Sequence, residues 1–328
     1  MEGRGTAQPG GDRAAKYIAE RFAKIGLKPL GDAGTYLQSV NFKSNEVAAT
    51  SSVQVGGTSL KYGEEFVVAP PYTFEKATAT GDIVFVGYGV TSPALKRDDL
   101  AGIDVKGKIV VVLAGHPTNI ETAEWEKSVT AQSVGGSLIG RGAQGLILLN
   151  YGSKERPYSM IAGYLTRRSV KLADAPGMPM KLPPILLGNE AAGEKIFSGT
   201  GSTYAQTLAK AQTGEFVSAS LNKQATLNVE LNAQTGTGSN VVGVMEGSDA
   251  TLKSEAVVFS AHYDAYGIDA MGHIFPGAAD NALGVAEIIS IAEALAASKA
   301  KPRRSIIFLA VTGEEYGLLG AKHWSNHP

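Results

Sequence analysis

At 328 residues, 44% hydrophobic and 19% charged, the chain can bury a sizeable core, and its length suggests two domains. Thirty basic residues against 31 acidic leave a formal net charge of -1, and no basic stripe carries interleaved aromatics, so neither nucleic acid nor an anionic membrane is expected as a partner. There is no cysteine, which removes disulfides, thiolate zinc ligands and thiol nucleophiles; a metal would have to be held by His, Asp and Glu.

No stretch reaches the roughly 18 unbroken apolar residues of a membrane span, and the amino end lacks the charged-then-apolar order of a signal peptide. After the loop "EGRGTAQPGGD", the residues Ala15, Ile18, Phe22 and Ile25 recur at helical spacing. They predict an amphipathic helix with Asp12 as N-cap and Gly26 as stop. Strand-like pieces follow at Tyr36 to Phe42 and Ser52 to Val55. From about Pro70 to Leu187 the text is turns and β runs ("GDIVFVGYGV", "GKIVVVLAG", "GLILLN") with a helix from about Thr122 to Gly142. This block reads as an inserted domain, ending near "KLPPILLGNEAAGEKIF".

Beyond it, "ATLNVELNAQ" and "SNVVGVMEG" predict two strands and "EAVVFSAH" a fully buried one. "NALGVAEIISIAEALAAS" predicts a helix, Pro302 interrupts the chain, and "RSIIFLAVTGEE" predicts a second buried strand. Strand, helix and strand with continuous apolar strands predict an α/β fold, its mostly parallel sheet covered on both faces.

The chemistry-bearing residues gather at the ends of these strands. In an extended segment, His262 and Asp264 point to one face, so the carboxylate can accept the second ring N–H and fix the imidazole as a metal ligand. A satisfied polar strand end is the plainer alternative. Asp280, in "PGAADNALG", suits a helix N-cap, yet its loop returns to the edge of the sheet where His262 lies. Glu314 and Glu315 leave the last strand in different directions, so one can bind a metal while the other faces a water; a role at the start of the next helix is the alternative. Ligands of open α/β sheets collect at the carboxyl ends of strands. One His with several carboxylates suits zinc, or manganese or cobalt. Two metals bridged by a carboxylate, with a free glutamate to move protons, would hydrolyse an amide.

"AHYDAYG", "GAADNALGVA" and "TGEEYGLLGAKHW" together resemble the co-catalytic zinc exopeptidases, the superfamily of bacterial secreted aminopeptidases, glutamate carboxypeptidase II and the transferrin receptor. The resemblance implies an α/β three-layer sandwich and two zinc ions. It implies that His262 binds one zinc, Asp264 orients His262, Asp280 bridges, Glu315 binds the other zinc and Glu314 is the general base. The middle block, with "VGYGV" and "DVKGKIVVVLAG", resembles a protease-associated domain inserted in the catalytic domain. The expected domains are therefore 1–69 and 221–328 (catalytic) around 70–220 (inserted). The family adds a further Asp and His well downstream of the Glu pair; the expectation is thus a piece of a longer protein, inactive alone, with Met1 internal to it. His323 and His327 follow too closely to be that ligand.

The implied substrates are peptides, the implied location is secreted or periplasmic, and the inserted domain is the expected place of protein contacts. Aminopeptidase is the expected activity; a carboxypeptidase and a receptor-like member without catalysis stay open. "GIDVKGKI" nearly spells a phosphate-binding loop, but Ile109 replaces the Ser or Thr and leads into a strand, so a turn is expected. Neither a Gly-x-Ser-x-Gly nor a His-Glu-x-x-His is present. His116 reads as a loop residue and His273 as a residue that could line the substrate pocket.

Overall fold

The computed structural model describes residues 1–129, 131–177, 180–269 and 272–328. The chain forms two compact units. The first comprises Met1–Glu46, Arg167–Pro176 and Ala233–Pro328, and the second Val47–Thr166 and Gly177–Asn232. The second unit thus begins some twenty residues before the expected boundary at 69/70, because the strand Ser52–Val55 pairs with residues 225–228 and its valines enter the second core.

In the first unit the helix Pro9–Ile25 starts earlier than Asp12 predicts. Pro9 occupies the first turn, Gln8 is the N-cap, and Asp12 lies within the first turn, where its charge still complements the helix dipole. Gly26, at φ 86°, ends the helix as expected. The strand Ser305–Val311 pairs in parallel with Ala256–His262, connected by the helix Leu283–Ala297, and in antiparallel with residues 241–245 on its other side. The sheet is therefore mixed.

Alternation along Ser305–Val311 divides the layers. Ile306, Phe308 and Ala310 pack with Ala14, Ile18 and Phe22 of the first helix and Val285, Ile288 and Ala292 of the connecting helix. Leu309 and Val311 face the other way, joined by Ile307 and by Ala321 and Trp324 of the helix Leu319–Asn326. Helices thus cover both faces of this strand, as a three-layer α/β arrangement requires.

Two predicted features differ. The segments "ATLNVELNAQ" and "SNVVGVMEG" lie in one 27-residue strand, Ala219–Met245, which gives residues 219–232 to the second unit and 233–245 to the first. The strand Ala256–His262, expected to be fully buried, has Val257 and Val258 47% and 41% exposed. Among the described residues it has a strand neighbour on one side only, and an apolar run does not say whether a second neighbour is present.

In the second unit the strands Ile109–Leu113, Gly145–Leu149 and Ile185–Gly188 run parallel, and Lys76–Phe85 joins Ile109–Leu113 in parallel. Residues 219–230 pair antiparallel with Lys76–Phe85. The segment expected as one helix to Gly142 is two, Thr122–Ser128 and Ala131–Gly140, broken by extended Val129. "GIDVKGKI" is a turn leading into the strand Ile109–Leu113, as expected.

Glu65 ties this unit together: it accepts the Lys61 N–H at 2.9 Å and pairs with Lys195 Nζ at 2.6 Å. Burial pushes its pKa up, but the Lys195 hydrogen bond and the Lys61 N–H outweigh burial and hold it below the ordinary 4.5. Because the folded value is depressed, the stabilisation is present above 4.5 and lost as pH falls through the lowered value. Glu65→Gln is expected to cost about 1 kcal/mol near neutral pH, with the gap closing on acidification. Urea unfolding of the parent and Glu65→Gln at neutral pH and again below the lowered Glu65 value checks this; a gap that persists in acid contradicts it.

Candidate metal centre

The parallel register aligns His262 with Val311, so the ends of the two strands deliver their polar residues to one place. After Val311 the chain turns through Thr312 and Gly313. Gly313 adopts φ 70°, a conformation that costs glycine little, and Glu314–Tyr316 form a single tight turn. Buried Asn240 secures this corner: its Oδ1 accepts the Thr312 N–H at 3.1 Å, and its Nδ2 donates to Gly320 O and Gln38 Oε1, both at 2.9 Å.

Asp280 is not an N-cap. It sits in an irregular turn, Ala278–Ala282, ahead of the helix Leu283–Ala297, with its side chain 78% exposed and Oδ1 3.0 Å from His262 Nε2. One donor atom each from His262, Asp280 and Glu315 lies within 4.8 Å of the others, and this is the group of three such residues that converges among the described residues. Glu314 stands outside that group, its Oε2 3.6 Å from His262 Nε2. The strand ends therefore bring together all five residues singled out in the sequence.

Asp264 departs in detail from expectation. Its carboxylate is fully buried, but at 3.7 Å from His262 Nδ1 it is too far to accept the ring N–H. The backbone carbonyl of Asp264, at 3.2 Å, takes that place. The carboxylate instead accepts the Thr6 hydroxyl at 2.9 Å and the Glu314 N–H at 3.2 Å, joining the His262 strand to the Glu314 turn. A ring N–H committed at Nδ1 leaves Nε2, the nitrogen facing Asp280, to act as a ligand.

Burial opposes the charge on His262, but the neighbouring Asp264 and the charge of Glu314 outweigh it, and the pKa is pushed up to about 9. The surrounding carboxylates thus favour the proton on His262, and a cation bound at Nε2 competes with it. Burial likewise raises Glu315, helped by the charges of Asp280 and Asp264 and opposed by a hydrogen bond from Tyr266. A site that raises a carboxyl in this way is one that a cation relieves. One imidazole nitrogen and two carboxylates, with no sulfur, form a donor set that fits zinc.

None of the remaining histidines joins the converging group. His273 pairs with Asp269 at 3.0 Å and is 64% exposed, and His116 bonds Thr122 and Pro117 within the second unit. His323 and His327 stack on each other at the end of the last helix. Arg4, Thr6 and Asn240 carry no local signal in the sequence; each acts on residues far along the chain.

Residues 240–328 match peptidase family M28. A curated "Probable zinc metalloprotease" of Leptosphaeria maculans is 42% identical over 85 residues, 25% of this chain and 19% of that protein. A "Vacuolar membrane protease" of Candida tropicalis is 33% identical over 95 residues, 28% of this chain and 9% of that one. Among solved structures, the aminopeptidase from Aneurinibacillus sp. strain AM-1 superposes with a TM-score of 0.59 at 19% identity, covering 99% of this chain and 62% of its own. A zinc aminopeptidase from Bacillus subtilis gives 0.54 at 18% identity, covering 99% and 60%. The chain thus spans about a fifth of the first curated relative and under two thirds of the aminopeptidase structures, with which it shares the fold.

Proposed function

We propose that this chain, whose residues 240–328 match peptidase family M28, forms the metal-holding part of a zinc-dependent exopeptidase, an aminopeptidase that releases amino-terminal residues. The observation that carries the reading is the convergence of His262, Asp280 and Glu315 within 4.8 Å, with Glu314 beside them and outside the group.

His262 Nε2, Asp280 and Glu315 would hold zinc, and the family resemblance implies that Asp280 would be shared with a second ion. Held there, zinc would supply polarisation of the scissile carbonyl and a lowered pKa for water at the site. Glu314 takes the proton of the attacking water at Oε2 and returns it to the leaving amine nitrogen. Asp264 holds the Glu314 backbone through its N–H, and the Asp264 carbonyl holds the His262 ring. The second unit, Val47–Thr166 with Gly177–Asn232, is read as a protease-associated insert that offers protein contacts. The family resemblance also supports a secreted or periplasmic location.

The test has two parts: zinc titration, and hydrolysis of aminoacyl-p-nitroanilides against N-blocked peptides. Zinc binding with cleavage limited to free amino termini is expected. Bound zinc without hydrolysis would favour a receptor-like member, and cleavage at free carboxyl termini a carboxypeptidase.

A further inference from the structure

The two arms of the metal centre, the His262 strand end and the Asp280 turn, share a third contact. The guanidinium of Arg4 donates from Nε to the Tyr263 carbonyl at 2.6 Å, from one terminal nitrogen to Pro276 O at 2.7 Å and from the other to Gly277 O at 2.6 Å. One acceptor is adjacent to His262; the other two come three and four residues before Asp280. A planar fork with fixed donor directions that meets three carbonyls fixes the spacing of the strands of chain carrying them.

The residues around Arg4 hold the same region. The Thr6 hydroxyl, 1% exposed as a residue, donates to Asp264 Oδ2. The Ala265 N–H donates to Arg4 O at 3.3 Å, and Gln8 bonds the Ile268 backbone through both its side-chain nitrogen and oxygen at 3.2 Å. Gly5 permits this approach: a Cβ there would meet Gln8 Oε1 at 2.0 Å and the Gly267 Cα at 3.0 Å.

We propose that Arg4 and Thr6 are positioning residues of the metal centre, Arg4 setting the separation of His262 from Asp280 and Thr6 holding the Asp264 carboxylate that anchors Glu314. Neither belongs to the converging ligand group. The inference rests on the metal-site reading above. A lysine at position 4 carries the charge but has no fork to span three carbonyls, and a valine at position 6 keeps the shape but leaves a buried carboxylate oxygen without its donor.

The experiment is metal binding by the intact 328-residue chain, measured by chelator competition with zinc and by the visible absorption of bound cobalt, for the parent, Arg4→Lys, Thr6→Val and Thr6→Ser. Arg4→Lys and Thr6→Val are expected to lower affinity about tenfold or more and to change the cobalt spectrum, with Thr6→Ser restoring both. A residue that only stabilises the fold lowers the melting temperature without moving the affinity or spectrum of the folded protein. Parent-like affinity and spectra in Arg4→Lys and Thr6→Val therefore overturn the inference and leave the metal site standing. If the parent binds neither metal, the site reading falls and this inference with it. Where Arg4→Lys does not fold, the Thr6→Val and Thr6→Ser pair decides.

Discussion

Glu314→Gln is expected to lower turnover in the proposed aminopeptidase reaction by about 10²–10⁴-fold while zinc affinity stays within a few-fold of the parent. The amide keeps the volume of the carboxylate but cannot take a proton at physiological pH. Two features of the structure predict that the metal centre survives the change. Glu314 lies outside the converging ligand group, and its link to Asp264 runs through its backbone N–H, which the substitution leaves in place. Saturating kinetics on an aminoacyl-p-nitroanilide, paired with a zinc titration, read the two effects separately. Unchanged turnover removes Glu314 from proton transfer, whereas lost zinc would make it a ligand.

The second large effect is expected at Asp280. Asp280→Asn should weaken zinc binding by about a hundredfold or more, beyond the 10–100-fold typical of residues that only support a ligand. Oδ1 of Asp280 stands 3.0 Å from His262 Nε2, and the substitution removes the negative charge that a dication requires there. The side chain is 78% exposed, so the metal-free protein should change stability by no more than about 0.5 kcal/mol. Chelator competition at fixed pH measures the affinity, and thermal unfolding without metal provides the control. Normal zinc binding by Asp280→Asn contradicts its assignment as a ligand.

Much of this site is legible in the sequence because its residues leave consecutive elements of one strand–helix–strand unit. An apolar run that stops at His262, a helix opening after Asp280 and a second run that stops before Glu314 place all three at one sheet edge by chain direction alone. The parallel register of Ala256–His262 on Ser305–Val311 carries out that placement. Helix ends were readable only where one residue dominates. Gly26 stops its helix because few other residues take φ 86° without strain. Asp12 is not the cap because Pro9, three residues earlier, already suits a helix start.

Tertiary structure decided what depends on distant partners. Whether Val257 and Val258 are covered depends on a neighbouring strand that their own sequence does not encode. The first boundary between the units depends on Ser52–Val55 finding residues 225–228. The expected Asp264 bond to His262 gave way to bonds from Thr6 and Glu314, and the reach of Arg4 to Tyr263, Pro276 and Gly277 spans 259 to 273 residues of sequence. Residue identity and local spacing determined which groups can hold a metal or move a proton; their geometry was decided by hydrogen bonds whose partners meet only when the chain has folded.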